Sequence, residues 1–317
     1  MTDVINVANA SAPERTAGAT DATWMRRLGR HFRDLRAAHP EDELVVVFDI
    51  DGTIIDTRHL VRSVLLDYDR AHGTTHFRRL DVSDIDVHEG QVGPLLDRWD
   101  LTDDERRRVR TYYELKMWTP EATLAAHQPY RGVMEVIRWF QLQPRTTVAL
   151  NTGRPEELRQ PTMQALCTLA KEYRVRFPDE LLLMNPRPQG QGVTNGKVEA
   201  LEELERRGYR IVAVVDNEPE NLQVMAEADS SGDILFLHAS TIFLSAVRPV
   251  PRTVVGTAYD IDALVEPREM QGHVQLVANG VSGRDTLDRA LGEPIRWIGT
   301  AVDCDPYGRI ELAGGPD

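Results

Sequence analysis

Two hydrophobic rhythms alternate along the chain. Short, mostly apolar runs recur at Leu44–Phe48, Thr147–Leu150, Leu181–Met184 and Ile211–Val215. Continuous rather than alternating apolar residues suit strands buried on both faces, as in a parallel sheet. Between the runs lie stretches with helical spacing, at Gly132–Gln141, Pro155–Tyr173 and Lys197–Gly208. The alternation predicts an α/β fold with helices on both faces of a parallel sheet. A further helix is expected over Asp21–His39, where Trp24, Leu28, Phe32 and Leu35 fall on one face and Pro40 stops the pattern.

Three segments break the rhythm. Residues 1–20 are small, polar and aperiodic, the pattern of a disordered terminus. Residues 57–128 hold no strand pattern, only helical ones at His59–Ala71, Gln91–Trp99 and Thr102–Met117, and read as a helical insertion standing over the sheet. From Pro249 the pattern changes again. Val274–Ala278, Asp285–Leu291 and Ile295–Val302 read as strand, helix and strand, a small α/β appendage over 249–317 suited to an interface between copies. The core is then expected over 21–56 and 129–248.

Composition narrows the function. The formal charge is −13, which disfavours nucleic acid and anionic membrane as partners, since both reward a basic face. No apolar run approaches the roughly 20 residues of a membrane helix, and the N-terminus lacks the pattern of a secretion signal. Two cysteines, Cys167 and Cys304, are too few for a disulfide framework, so a reducing cytoplasm is the simple expectation. Only three of the 37 basic residues are lysine, namely Lys116, Lys171 and Lys197, which makes a lysine at a mechanistic spacing stand out.

The ends of the apolar runs carry the candidate chemistry. The first leads into Asp49-Ile50-Asp51-Gly52-Thr53, the second into Asn151-Thr152-Gly153-Arg154-Pro155, and the last into Asp216-Asn217-Glu218-Pro219-Glu220-Asn221. Lys197 opens the helix before that last strand, whereas Lys171 falls mid-helix, where a solvated face is the ordinary fate. In a parallel sheet such ends share one edge, where ligands bind. Carboxylates, hydroxyls and one ammonium together suit phosphoryl transfer. A carboxylate can attack phosphorus, and a second, Asp51, can give a proton to the leaving oxygen and later take one from water. Clustered Asp49, Asp51 and Asp216 call for a divalent cation, and Mg²⁺ favours oxygen ligands. Gly52 permits a tight turn, and Arg154 suits either a phosphate or a salt bridge.

These motifs, in this order, resemble those of the haloacid dehalogenase superfamily over roughly residues 43–245. Asp49-Ile50-Asp51-Gly52-Thr53 resembles the first motif, Thr152 the second, Lys197 the third and Asp216 the fourth. The resemblance implies a Rossmann-like core, Mg²⁺ dependence and an aspartyl-phosphate intermediate on Asp49. It makes Asp49, Asp51, Thr152 and Lys197 the catalytic set and Thr53, Gly153 and Arg154 the phosphate contacts. Asp49, Asp51 and Asp216 become the metal ligands, with Asp51 acting through its backbone carbonyl. Asn217, Glu220 and Asn221 are alternatives for completing the metal shell. The place of the helical insertion resembles the C1 class of cap, whose residues Arg58, His59, Arg62, Tyr112, Tyr113 and Lys116 become substrate candidates. The implied activity is hydrolysis of a small phosphorylated metabolite. A mutase, a polynucleotide-type phosphatase or a non-catalytic binding protein on the same fold are the alternatives.

Overall fold

Strand formation follows the apolar runs closely. In the computed structural model, which describes residues 23–125, 128–187, 191–241 and 253–265, six strands form one sheet. They are β1 Glu43–Phe48, β2 Thr146–Pro155, β3 Leu182–Asn185, β4 Tyr209–Asp216, β5 Leu235–Ala239 and β6 Thr253–Gly256. Their order is β3-β2-β1-β4-β5-β6, and every pairing is parallel. The fold is therefore a Rossmann-like α/β sheet. β1 lies inside it and is buried from Leu44 to Phe48, which explains its unbroken apolar pattern.

Helices cover both faces. They are α1 Thr23–Ala38, α2 Arg58–His72, α3 Gly93–Asp97, α4 Asp103–Lys116, α5 Pro120–Ala125, α6 Val133–Gln141, α7 Arg159–Ala170, α8 Val193–Arg206, α9 Pro219–Ala228 and α10 Ile261–Leu264. One core cluster joins α1 and α6 to the sheet through Phe32, Val46, Ile137 and Phe140. The other face packs Val45, Val47 and Val214 against Leu201, Leu204 and Leu222 of α8 and α9. Strand alternation thus sends Val46 to one layer and Val45 and Val47 to the other.

The segment between β1 and α6 folds around a core of its own. Leu60, Val64, Tyr68, Phe77, Leu96, Val109 and Tyr113 pack together there. Trp118, after α4, touches this cluster and the main one. Thr102 and Glu105 form a capping box at the start of α4, followed by the acids that the helix dipole favours.

The chain departs from the expected pattern in four places. β2 runs on to Pro155, so Thr152, Gly153 and Arg154 lie in the strand and the helix starts only at Arg159. β5 was not expected, being a run of five residues with His238 inside it. β6 and α10 belong to the core, not to an appendage. A Cβ on Gly256 would lie 2.0 Å from the Trp24 ring, and Trp24 donates its indole N–H to Ala258 O at 2.6 Å. The expected elements beyond Val265, and the disorder expected of residues 1–20, lie outside the described residues. Among the described residues no helix is long and apolar enough to cross a membrane.

Candidate active site

The loop after β1 is fixed before any side chain is considered. Asp49 N–H donates to Val215 O at 2.8 Å, extending the β1–β4 ladder by one bond. Gly52, with φ of 73°, then turns the chain back, and Ile55 N–H closes the turn onto Ile50 O at 2.8 Å. A side chain at position 52 would strain this left-handed conformation. Thr241 Oγ1 donates to Gly52 O at 2.6 Å, and the Tyr259 hydroxyl to Thr53 O at 3.0 Å. Residues just after β5 and just after β6 therefore brace the turn that holds the acids.

Lys197 is the centre of the cluster. Its side chain is 2 % exposed. Nζ donates to Asp49 Oδ1 at 2.6 Å, to Asp216 Oδ2 at 2.9 Å and to Asn151 O at 2.6 Å. Three acceptors match the three donors of an ammonium. Asn151 returns a bond from Nδ2 to Lys197 O at 2.9 Å, tying α8 to β2. Burial disfavours the ammonium, but Asp216 and Asp49 outweigh it and hold the lysine firmly protonated. Lys171 is exposed in the turn after α7 and is remote from this role.

Asp49 is buried and carries the opposite problem. Desolvation raises its carboxyl to about 8, against the pull of Lys197 and with the push of Asp216 and Asp51. Its second oxygen has only a long contact, 3.3 Å from Thr53 Oγ1. Thr53 Oγ1 also lies 3.4 Å from Asn217 Oδ1. Asp216 is locked from its own loop, with Glu218 N–H at 2.8 Å and Asn221 Nδ2 at 3.4 Å from each oxygen.

The other expected residues fall differently. Thr152 is buried at the same sheet edge, where its Oγ1 accepts from Arg154 N–H at 3.2 Å. Gly153 is where β2 meets α8, and a Cβ there would lie 3.0 Å from Val193 Cγ1. Arg154 is occupied by Asp51 rather than left open to a phosphate. Nε and Nη2 each reach an Asp51 oxygen at 2.7 Å. Of the alternatives after Asp216, Asn217 and Asn221 are buried beside it, while Glu220 is exposed on α9.

The donor set suits a hard divalent cation. Two carboxylates meet on one ammonium, and the amide oxygen of Asn217 stands near. Among the described residues no three His, Cys, Asp or Glu side chains form a ready metal cluster. The Asp51 carboxylate is turned to Arg154, while the ligand expected from this residue is its main-chain carbonyl.

Solved structures with similar chain paths include a haloacid dehalogenase superfamily hydrolase, subfamily IA, variant 1, from Geobacter sulfurreducens. It is 14% identical over 70% of this chain and 96% of that one, with a TM-score of 0.41. A haloacid dehalogenase-like family hydrolase from Streptococcus pneumoniae is 13% identical over 73% and 98%, with a TM-score of 0.41. A family hydrolase from Deinococcus radiodurans, solved with phosphate and sodium, is 12% identical over 75% and 96%, with a TM-score of 0.40. At this identity and these TM-scores the likeness carries no chemistry across. No protein-family model and no curated protein matches the chain.

The helical insertion brings residues that the sequence did not single out. His88 Nε2 lies 3.1 Å from Glu218 Oε1, bridging the insertion to the loop after β4, and 3.5 Å from Glu89 Oε1. Burial opposes the charged imidazole, yet the Glu218 hydrogen bond and the charges of Glu89, Glu218 and Asp51 push it up to about 9. Glu89 is buried, accepts from Thr57 Oγ1 at 3.2 Å, and takes the Tyr113 hydroxyl on its carbonyl at 2.7 Å. Burial raises its carboxyl against the pull of His88. By contrast, the insertion residues expected near substrate are occupied elsewhere or turned outward. Arg58 pairs with Asp56, Arg62 with Leu80 O and Tyr112 with Asp67, while Lys116 is exposed. The clue available in the sequence was the pair His88-Glu89 before Gly90, an imidazole and an acid in the connection between two helical patterns.

Proposed function

We propose that the chain is a phosphatase that hydrolyses a small phosphate monoester through a covalent intermediate on Asp49. The observation that carries this reading is the pairing of Asp49 with Lys197. One carboxylate oxygen is held at 2.6 Å by an ammonium that also binds Asp216, while the other has only the long Thr53 contact. With a bound cation to offset the burial that otherwise keeps this carboxyl protonated at neutral pH, a carboxylate anchored by one oxygen would present the other as a nucleophile.

In the first step an Asp49 oxygen forms a bond to phosphorus as the bond from phosphorus to the ester oxygen breaks. Asp51 gives that leaving oxygen its proton. In the second step water attacks the aspartyl phosphate and passes a proton to Asp51. The bond from phosphorus to Asp49 breaks, and inorganic phosphate leaves. Lys197 offsets charge on the transferring group, and the Thr53 and Thr152 hydroxyls and the Gly153 backbone face its oxygens. Asp49 and Asp216 would hold Mg²⁺ together with the main-chain carbonyl of Asp51. The ion supplies charge neutralisation for the transferring phosphoryl group. The helical insertion over residues 57–128 acts as a cap, and its His88–Glu218 contact keeps it against the core.

Hydrolysis of p-nitrophenyl phosphate tests the reading, with and without Mg²⁺ and with Asp49→Asn. Metal-dependent turnover that vanishes in the variant supports it. Absence of turnover by the wild type, on this ester and on a library of phosphate esters, favours a binding protein on the same fold.

A further inference from the structure

Asp51 has both carboxylate oxygens engaged by one guanidinium, and this bears on how it can deliver a proton. Arg154 Nε reaches Oδ2 and Nη2 reaches Oδ1, each at 2.7 Å, in the two-pronged geometry favoured by Arg and carboxylate. The guanidinium is 1 % exposed and is itself held. Nη1 donates to Thr162 Oγ1 on α7 at 3.0 Å, and the plane lies over the Trp118 ring at 5.8 Å from its centroid. α7 belongs to the core, whereas Trp118 follows α4 in the insertion. The clamp is thus seated on one body and covered by the other.

We infer that Arg154 is the positioning residue for the Asp51 carboxylate, and that the two-pronged pair is a parked state from which one prong is released when substrate binds. The inference rests on the phosphatase reading. The fork takes the syn lone pair of each oxygen, the more basic of its two, so a proton held in that position requires one contact to break before Asp51 can serve as donor. The other contact keeps the carboxyl from swinging freely, so the released oxygen moves by rotation about a fixed partner. The proton then passes from that oxygen to the ester oxygen as its bond to phosphorus breaks, and Arg154 undergoes no chemical change. A phosphate contact is a poorer account of Arg154, because the group is fully buried and three of its donors already have partners.

Leaving-group dependence separates this role from a structural one. Phenyl phosphate needs protonation of its leaving oxygen, while p-nitrophenyl phosphate departs readily without it. Removing a positioned acid costs about 10²–10⁴-fold where protonation matters. Arg154→Met should therefore lower kcat on phenyl phosphate at least about tenfold more than on p-nitrophenyl phosphate, with KM for both little changed. Arg154→Lys, which can hold one oxygen, should fall between. Equal losses on the two esters, or a shared rise in KM, would overturn the proposal. A crystal structure of the wild type with Mg²⁺ and beryllium fluoride supplies a second test that needs no variant. With an adduct on Asp49, Asp51 should keep one oxygen on Arg154 and turn the other toward the fluoride. Both contacts kept, or both lost, would overturn it. A wild type with neither turnover nor an adduct would instead overturn the phosphatase reading, and this proposal with it.

Discussion

Asp49→Asn should abolish turnover and at the same time stabilise the metal-free protein. The carboxyl of Asp49 stands near 8 because burial opposes its charge more strongly than Lys197 supports it. An acid whose folded-state value lies above its unfolded one destabilises the fold as pH rises. The folded state then holds a proton that the unfolded chain releases. The penalty is absent below about pH 4, grows between about 4 and 8 and is constant above. At about 1.4 kcal/mol per tenfold change in proton affinity, it reaches on the order of 4 kcal/mol at pH 7. Asparagine removes the penalty and still offers Lys197 an oxygen, although a weaker acceptor, so the net gain should be about 1–4 kcal/mol. Urea denaturation in EDTA at pH 5 and pH 8 measures it, with the difference between variant and wild type widening at the higher pH. A variant less stable at both values, or a difference that ignores pH, would refute the reasoning.

Lys197→Met removes the one ammonium shared by Asp49 and Asp216, so it should cost about 3–5 kcal/mol, readable by denaturation, and stop turnover. Mg²⁺ at about 100 times its Kd should stabilise the wild type by about 2.7 kcal/mol, and Asp216→Asn should blunt the rise in Tm. The His88–Glu218 clasp should weaken at high pH. A histidine raised to about 9 contributes fully below its ordinary value near 6.5, and the contribution is lost as pH passes through about 9. Hydrogen exchange of the insertion should therefore quicken between pH 6.5 and 9.5 in the wild type and change less in His88→Ala. Gly256→Ala would press a methyl group into the Trp24 ring, and denaturation should show a loss of about 1–3 kcal/mol.

The sheet was legible where burial on both faces writes an unbroken apolar run, as at Leu44–Phe48. It was not legible at β5 and β6, short strands whose apolar pattern is broken by His238 in β5 and by partial exposure in β6. The acids at strand ends were legible because a parallel sheet gathers those ends on one edge. So was Lys197, whose start-of-helix position differs from that of the solvated Lys171. The engagement of Asp51 by Arg154 could not be read, because it joins residues 103 positions apart through side-chain rotamers. His88 and Glu89 were missed for a related reason. Nothing in their local pattern reveals that the insertion folds back to set an imidazole beside Glu218.

Chemical trapping of the phosphoryl group, by brief reaction with a phosphate ester in Mg²⁺ followed by acid quench and peptide mass spectrometry, tests the central claim most directly. The label is expected on Asp49 alone, lost in Asp49→Asn and longer-lived in Asp51→Asn. A label on any other side chain, or turnover that survives the loss of the Asp49 carboxylate, would contradict the account.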